Sequence, residues 1–137
     1  MGLKKTVEIA YDFAFTGGAI GTQLQAAALP GNCLVTNVHV VTNTPVTSGG
    51  AATVAIVAGA TTILGATAIA ALPGAGAAWD QLQENAIVAG LGGLPLVTPP
   101  YQNDVYLATP GQLGFVIGAF ALTAGILFIE IEYIELN

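Results

Sequence analysis

Basic residues are almost missing from this chain. Of 137 residues only Lys4 and Lys5 carry a positive charge, against eight acids, for a formal net charge of −6. Nucleic-acid binding needs clustered Lys and Arg to neutralise phosphates, so that class is excluded. Charge of either sign is scarce at 7% of residues, where a soluble domain carries about 25%. No charged residue lies between Asp12 and Asp80 apart from His39 when protonated, and none between Asp104 and Glu130. A surface so poor in charge is weakly protected against association. Its simplest cover is other protein subunits.

Catalytic and metal-binding residue types are equally rare. There is one cysteine, Cys33, one histidine, His39, and one serine, Ser48. A single cysteine forms no intrachain disulfide and leaves the redox compartment unread. A nucleophile needs a base and an orienting group. Cys33 and His39, six apart in a strand, are expected on one face but about 20 Å apart. Ser48 lacks a nucleophile-elbow context. No His/Cys cluster has zinc-ligand spacing, and Asp80, Glu84 and Asp104 give no calcium-loop pattern. The expectation is a non-enzymatic protein with no catalytic residues, no metal and no cofactor. His39 is expected to be a packed or interface residue. Glu130 and Glu132, about 7 Å apart on one strand face, are expected to be a solvated face that discourages edge-to-edge aggregation.

What is abundant is apolar sequence, 54% of the chain, punctuated by 18 glycines and 7 prolines. Val7, Ile9, Tyr11, Phe13 and Phe15 alternate with small or polar residues, the period of a half-buried strand. Ala19 to Leu29 is a weaker segment. Pro30-Gly31-Asn32 signals a turn, and the Val- and Thr-rich Cys33 to Thr42 a strand with both faces covered. Asn43 to Gly50 reads as a loop and Ala51 to Ala58 as a strand. Thr61 to Leu72 fits helix or strand, and Pro73-Gly74-Ala75-Gly76 breaks the chain. Trp79 to Glu84 reads as surface loop, Ala86 to Ala89 as a short strand, and Gly90 to Asn103 as a long loop. Val105 to Thr109 reads as a strand. Leu113 to Leu122 and Ile126 to Leu136, joined by Thr123-Ala124-Gly125, read as a hairpin.

About eight short strands at near-regular spacing predict an all-β, single-domain antiparallel sandwich over residues 1–137, jelly-roll-like. Ala51 to Leu72 and Leu113 to Ile129 are uncharged, and the second contains Gly114-x-x-x-Gly118. Both lack flanking Lys or Arg and aromatic belts and are dense in β-branched residues, so no membrane span is expected. Trp79, Tyr101 and Tyr106 lie in or beside loops, where aromatics anchor protein interfaces or cap the ends of a sandwich.

Several stretches carry a resemblance. They are Leu29-Pro30-Gly31 before a Val-rich strand, the loop from Pro45 to Gly50 leading into Ala-Thr-Val-Ala-Ile (Ala52 to Ile56), and Leu64-Gly65-Ala66-Thr67-Ala68. Ala121-Leu122-Thr123-Ala124-Gly125 then precedes a strand ending Glu132-Tyr133. In style and order the chain resembles the small structural proteins of tailed bacteriophages that decorate or cement the capsid. The resemblance implies a jelly-roll-like sandwich on the outer capsid surface of the virion. It implies the major capsid protein as partner, and often a homotrimer. It carries over no catalytic or ligand residues. A tail or fibre-base adaptor is the alternative with the same fold. A carbohydrate-binding module for host attachment, with Trp79 and Tyr101 as stacking platforms, is the alternative with another function.

Overall fold

A computed structural model describes residues 3–72, the strand backbone at 78–80, and residues 105–136. The described residues form nine strands and almost no helix: β1 (Lys4–Asp12), α1 (Phe13–Thr16), β2 (Gly21–Leu29), β3 (Cys33–Ser48), β4 (Thr53–Ala58), β5 (Thr61–Ala68), a 3-10 turn (Ile69–Ala71), β6 (Ala78–Asp80), β7 (Val105–Leu107), β8 (Gly111–Gly118) and β9 (Leu122–Glu135). They make two antiparallel sheets. One runs β1-β9-β3-β6, with β7 also on β3; the other runs β2-β8-β4-β5. The pairs nest: β1 with β9, β2 with β8, β3 with β6 and β7, β4 with β5. A long hairpin folded over itself produces this order. The expected all-β antiparallel sandwich is what the chain forms.

Alternation explains the layers. In β1 Ile9 and Tyr11 point inward, and in β9 Leu127, Ile129 and Ile131 do the same, each at most 6% exposed. Val54, Ile56 and Ala58 of β4 and Leu113, Phe115 and Ile117 of β8 face them from the other sheet. The rings of Tyr11 and Phe115 stack across the sandwich with centroids 4.7 Å apart. Tyr11 stays satisfied because its hydroxyl donates to the Gly17 carbonyl, 2.9 Å away, as a buried phenol requires.

The structure departs from the sequence reading at five places. β1 stops at Asp12, whose carboxylate accepts the Ala14 N–H and starts a single helical turn; Phe13 and Phe15 therefore leave the strand face, and Phe15 is 88% exposed. The expected loop from Asn43 continues β3 as far as Ser48. Pro45 is tolerated there because pairing with β9 is irregular between Thr44 and Thr47, where a missing N–H costs no ladder bond. Trp79 and Asp80, the start of an expected loop, lie in β6 and pair with β3. Cys33 and His39 do not share a face: a bulge between Val35 and Asn37 flips the alternation, leaving Cys33 in the core and His39 outside. The expected C-terminal hairpin is absent, because β8 pairs with β2 and β4 while β9 pairs with β1 and β3. The link between them, with Ala119 at φ +68, crosses from one sheet to the other.

A close approach secures that crossing. The Leu122 N–H donates to the Gly18 carbonyl at 2.8 Å, and a Cβ on Gly18 would lie 2.0 Å from the Leu122 oxygen. Only glycine fits. Thr61 to Leu72, open to two readings, is strand through Ala68 and then a 3-10 turn. Both uncharged segments weighed as membrane spans are largely strand, and among the described residues no helix is long and apolar enough to cross a membrane. The expected break at Pro73 to Gly76, the strand at Ala86 to Ala89 and the loop at Gly90 to Asn103 lie outside the described residues.

Candidate interaction surfaces

The residues weighed for catalysis serve packing and hydrogen bonding. Cys33 is fully buried, and burial pushes its thiol above the usual value, the reverse of what an activated nucleophile needs. The Ser48 hydroxyl donates to the Ala121 carbonyl at 2.7 Å and accepts from the Gly50 N–H. It clamps the end of β3 to the crossing between the sheets.

The outer face of the four-stranded sheet is neutral. Its strands contain no Asp, Glu, Lys, Arg or His. Strand pairing lays out rows such as Thr22, Val116 and Ala55, and Leu24, Gly114 and Val57. Leu24 is 67% exposed. The face closes over Gly114, where a Cβ would meet the Thr22 methyl at 2.8 Å. Gln23 donates to the Thr16 and Gly17 carbonyls. That ties the turn bearing Phe15 to β2. Exposed Phe15, Ile20 and Leu24 thus accompany the same edge strand. β2 and β5 are the edges of this sheet, and neither carries the charge that usually blunts a free edge.

The outer face of the five-stranded sheet is charged. Its pairing places Glu8 opposite Glu130, Glu130 opposite His39, and His39 opposite Asp80 in one row. The next row is Ala10, Phe128 and Val41; Phe128 is 48% and Val41 39% exposed. The row on the other side holds Thr6, Glu132 and Asn37. An open groove of about 820 Å³ runs along this face, with Glu8, Glu130, His39, Val41 and Phe128 in its wall. His39 Nε2 lies 2.9 Å from Glu132 Oε2, and Lys4 Nζ lies 3.5 Å from Glu132 Oε1. At the end of the sheet Lys5 Nζ donates to Glu135 at 3.0 Å. That bond, with the charge of Glu135, raises the lysine pKa.

The one-face reading of Glu130 and Glu132 describes this surface, but sequence reasoning missed their convergence with His39. The glutamates stand 91 and 93 positions beyond the histidine, and only pairing of β3 with β9 joins them. No local spacing signal could have found it.

The three candidate interface aromatics are placed unequally. Tyr106 on β7 is 52% exposed, and its hydroxyl donates to Asn32 Oδ1 at 3.0 Å. Asn32, at φ +52, also bonds the Leu136 carbonyl through its amide and accepts the Leu136 N–H at 2.8 Å. The tyrosine is therefore held against the end of β9 with about half of the residue exposed. Trp79 lies in β6 opposite Val40, and Tyr101 lies outside the described residues.

No family model matches the chain, and no curated protein does. Solved structures share its fold. A chain of the acidic stable capsid structure of Helicobacter pylori bacteriophage KHP30 superposes with a TM-score of 0.56 at 10% identity, covering 96% of this chain and 93% of its own. A chain of the cyanophage Pam1 capsid asymmetric unit gives 0.54 at 16% identity, covering 98% and 86%. One from the capsid of Ralstonia phage GP4 gives 0.51 at 11% identity, covering 97% and 86%. At these identities the likeness is one of fold. It runs the length of the sandwich, and its neighbours come from phage capsids.

Proposed function

We propose that this protein is a virion structural protein of a tailed bacteriophage. It binds the outer surface of the assembled capsid as a decoration or cement protein, with residues 1–137 acting as one unit. The observation that carries the reading is the neutral face of the four-stranded sheet, on a fold shared with chains of three phage capsid structures. A face without charge loses no ion hydration when a neighbour covers it, so apolar burial is not offset by desolvation. The neighbours are the major capsid protein and sister copies, with a trimer favoured. Trp79, Tyr101 and Tyr106 supply contacts at the margin.

Function here is binding, not chemistry. A protein that binds the assembled lattice but not its free subunits stabilises the lattice by mass action. It spans joints that internal pressure otherwise opens.

The test is to mix the purified protein with shells assembled without it, pellet the shells and image them. Co-sedimentation at fixed stoichiometry, with added density over subunit junctions, is expected. Shells that pellet bare would refute the capsid placement. Density on a tail would move the same fold to an adaptor role.

A further inference from the structure

On the charged face, we propose that His39, Glu130 and Glu132 form a binding site for a divalent transition-metal ion, with Zn²⁺ the best fit. The imidazole nitrogen of His39 and one carboxylate oxygen from each glutamate all lie within 4.8 Å of one another. They come from two paired strands, so the sheet ladder fixes their spacing. His39 and Glu132 side chains are 32% and 20% exposed. An ion can enter from the groove, yet part of its shell is shielded from water.

The hydrogen bonding around His39 holds the ring in place beside the glutamates. Asn37 is 7% exposed, and its Oδ1 accepts the Val38 N–H at 2.9 Å. That fixes the amide and aims its Nδ2 donor at His39 Nε2, 3.3 Å away. Glu132 Oε2 stands 2.9 Å from that same nitrogen. A metal ion would take the place of the proton that this pair shares. With metal bonds of about 2.0–2.1 Å, tetrahedral ligands stand about 3.4 Å apart, so the pair, 2.9 Å apart, needs to open by only about half an ångström to admit the ion. Glu8, directly opposite Glu130, adds like charge that costs stability without a cation and offers a further oxygen at the groove wall.

One imidazole nitrogen with two carboxylates suits zinc, and also manganese; an all-oxygen calcium shell has no use for the histidine. The remaining coordination positions face the open groove. In an assembly, a carboxylate or imidazole from a neighbouring subunit could complete the shell. The site itself stands whether or not the capsid reading holds.

Isothermal titration of the full chain with Zn²⁺, Mn²⁺ and Ca²⁺ at pH 7.5 tests this. Saturable Zn²⁺ binding near one ion per chain is expected, tighter than Ca²⁺. His39→Ala and Glu132→Gln should each weaken it at least about tenfold, while Glu135→Gln, on the same strand but outside the cluster, leaves it unchanged. Thermal unfolding without metal checks that each variant folds. Should either ligand variant fail to fold, Glu130→Gln, on the more open side, takes its place. No saturable Zn²⁺ binding, or binding indifferent to His39 and Glu132, overturns the proposal. So does binding that prefers Ca²⁺.

Discussion

The two sheets of this sandwich share one core and differ in what they show the outside. The five-stranded sheet carries Lys4, Lys5, Glu8, Asp12, His39, Asp80, Glu130, Glu132 and Glu135 in its strands. The four-stranded sheet carries no charged residue in any strand. Inward faces hardly differ: Ile, Leu, Val and one aromatic from each sheet meet in the middle. Stability is thus symmetric across the layers while surface chemistry is not. A charged outer face resists self-association and the neutral one invites it. The asymmetry gives the described strands a direction, with charge on one side of the sandwich and none on the other.

Breaking the layers apart should have the largest effect. Phe115→Ala removes the β8 half of the Tyr11 stack from a fully packed site. It should destabilise the fold by about 3–5 kcal/mol, read as a lowered urea midpoint. A loss below about 1 kcal/mol would mean that the sheets do not depend on this contact.

The contrast between the outer faces is sharpened by a charge placed on each. Leu24→Glu puts a carboxylate on the exposed neutral face. Folding stability should move by no more than about 0.5 kcal/mol, while affinity for assembled shells falls at least about tenfold, or 1.4 kcal/mol. Glu8→Ala on the opposite face should leave shell binding intact. Equal effects of the two substitutions would remove the distinction between the faces.

A smaller effect follows from burial of Cys33 and Tyr11. Burial raises both pKa values above their ordinary 9.0 and 10.0. Below pH 9.0 both folded and unfolded chains hold the thiol proton, and its contribution is complete. As pH rises further the unfolded chain releases the proton first, so stability declines until the folded thiol titrates. The Tyr11 phenol adds the same downward trend from pH 10.0. Urea midpoints between about pH 8 and 10.5 should fall, and Cys33→Ala should flatten the earlier part of the decline. Least of all should come from Lys5→Ala. Its pair with Glu135 is solvent-exposed, and exposed pairs hold little. No resolvable change in thermal midpoint is expected.

Much of the architecture was legible because strands write their faces into alternate positions. Ile9 and Tyr11, or Ile129 and Ile131 between Glu130 and Glu132, announce a wet side and a dry side. The scarcity of charge was equally plain, though not that it would be confined to one sheet. Pairing was not legible. β8 and β9 are neighbours in sequence and were expected to pair, yet the Gly118 to Leu122 crossing sends them to different sheets, and no local signal separates a tight hairpin from such a crossing. Bulges were invisible for a similar reason. One extra residue near Thr36 turned Cys33 and His39 to opposite sides, which no count of positions foretells. The His39 cluster depended on both, since it needs the bulge to turn the ring outward and the β3–β9 register to bring the glutamates beside it.

The position of β9 between β1 and β3 bears on how the protein is made. Of the described strands it is the last to leave the ribosome, yet both its partners wait for it: Tyr11 stands opposite Leu127 and Val40 opposite Ile129. Until β9 emerges, the nascent chain holds two long, greasy ribbons without their mate. Long-range closures of this kind are slow and prone to clumping. Synthesis that stalls before Leu122 therefore leaves a polypeptide that a chaperone must shield or a protease must clear.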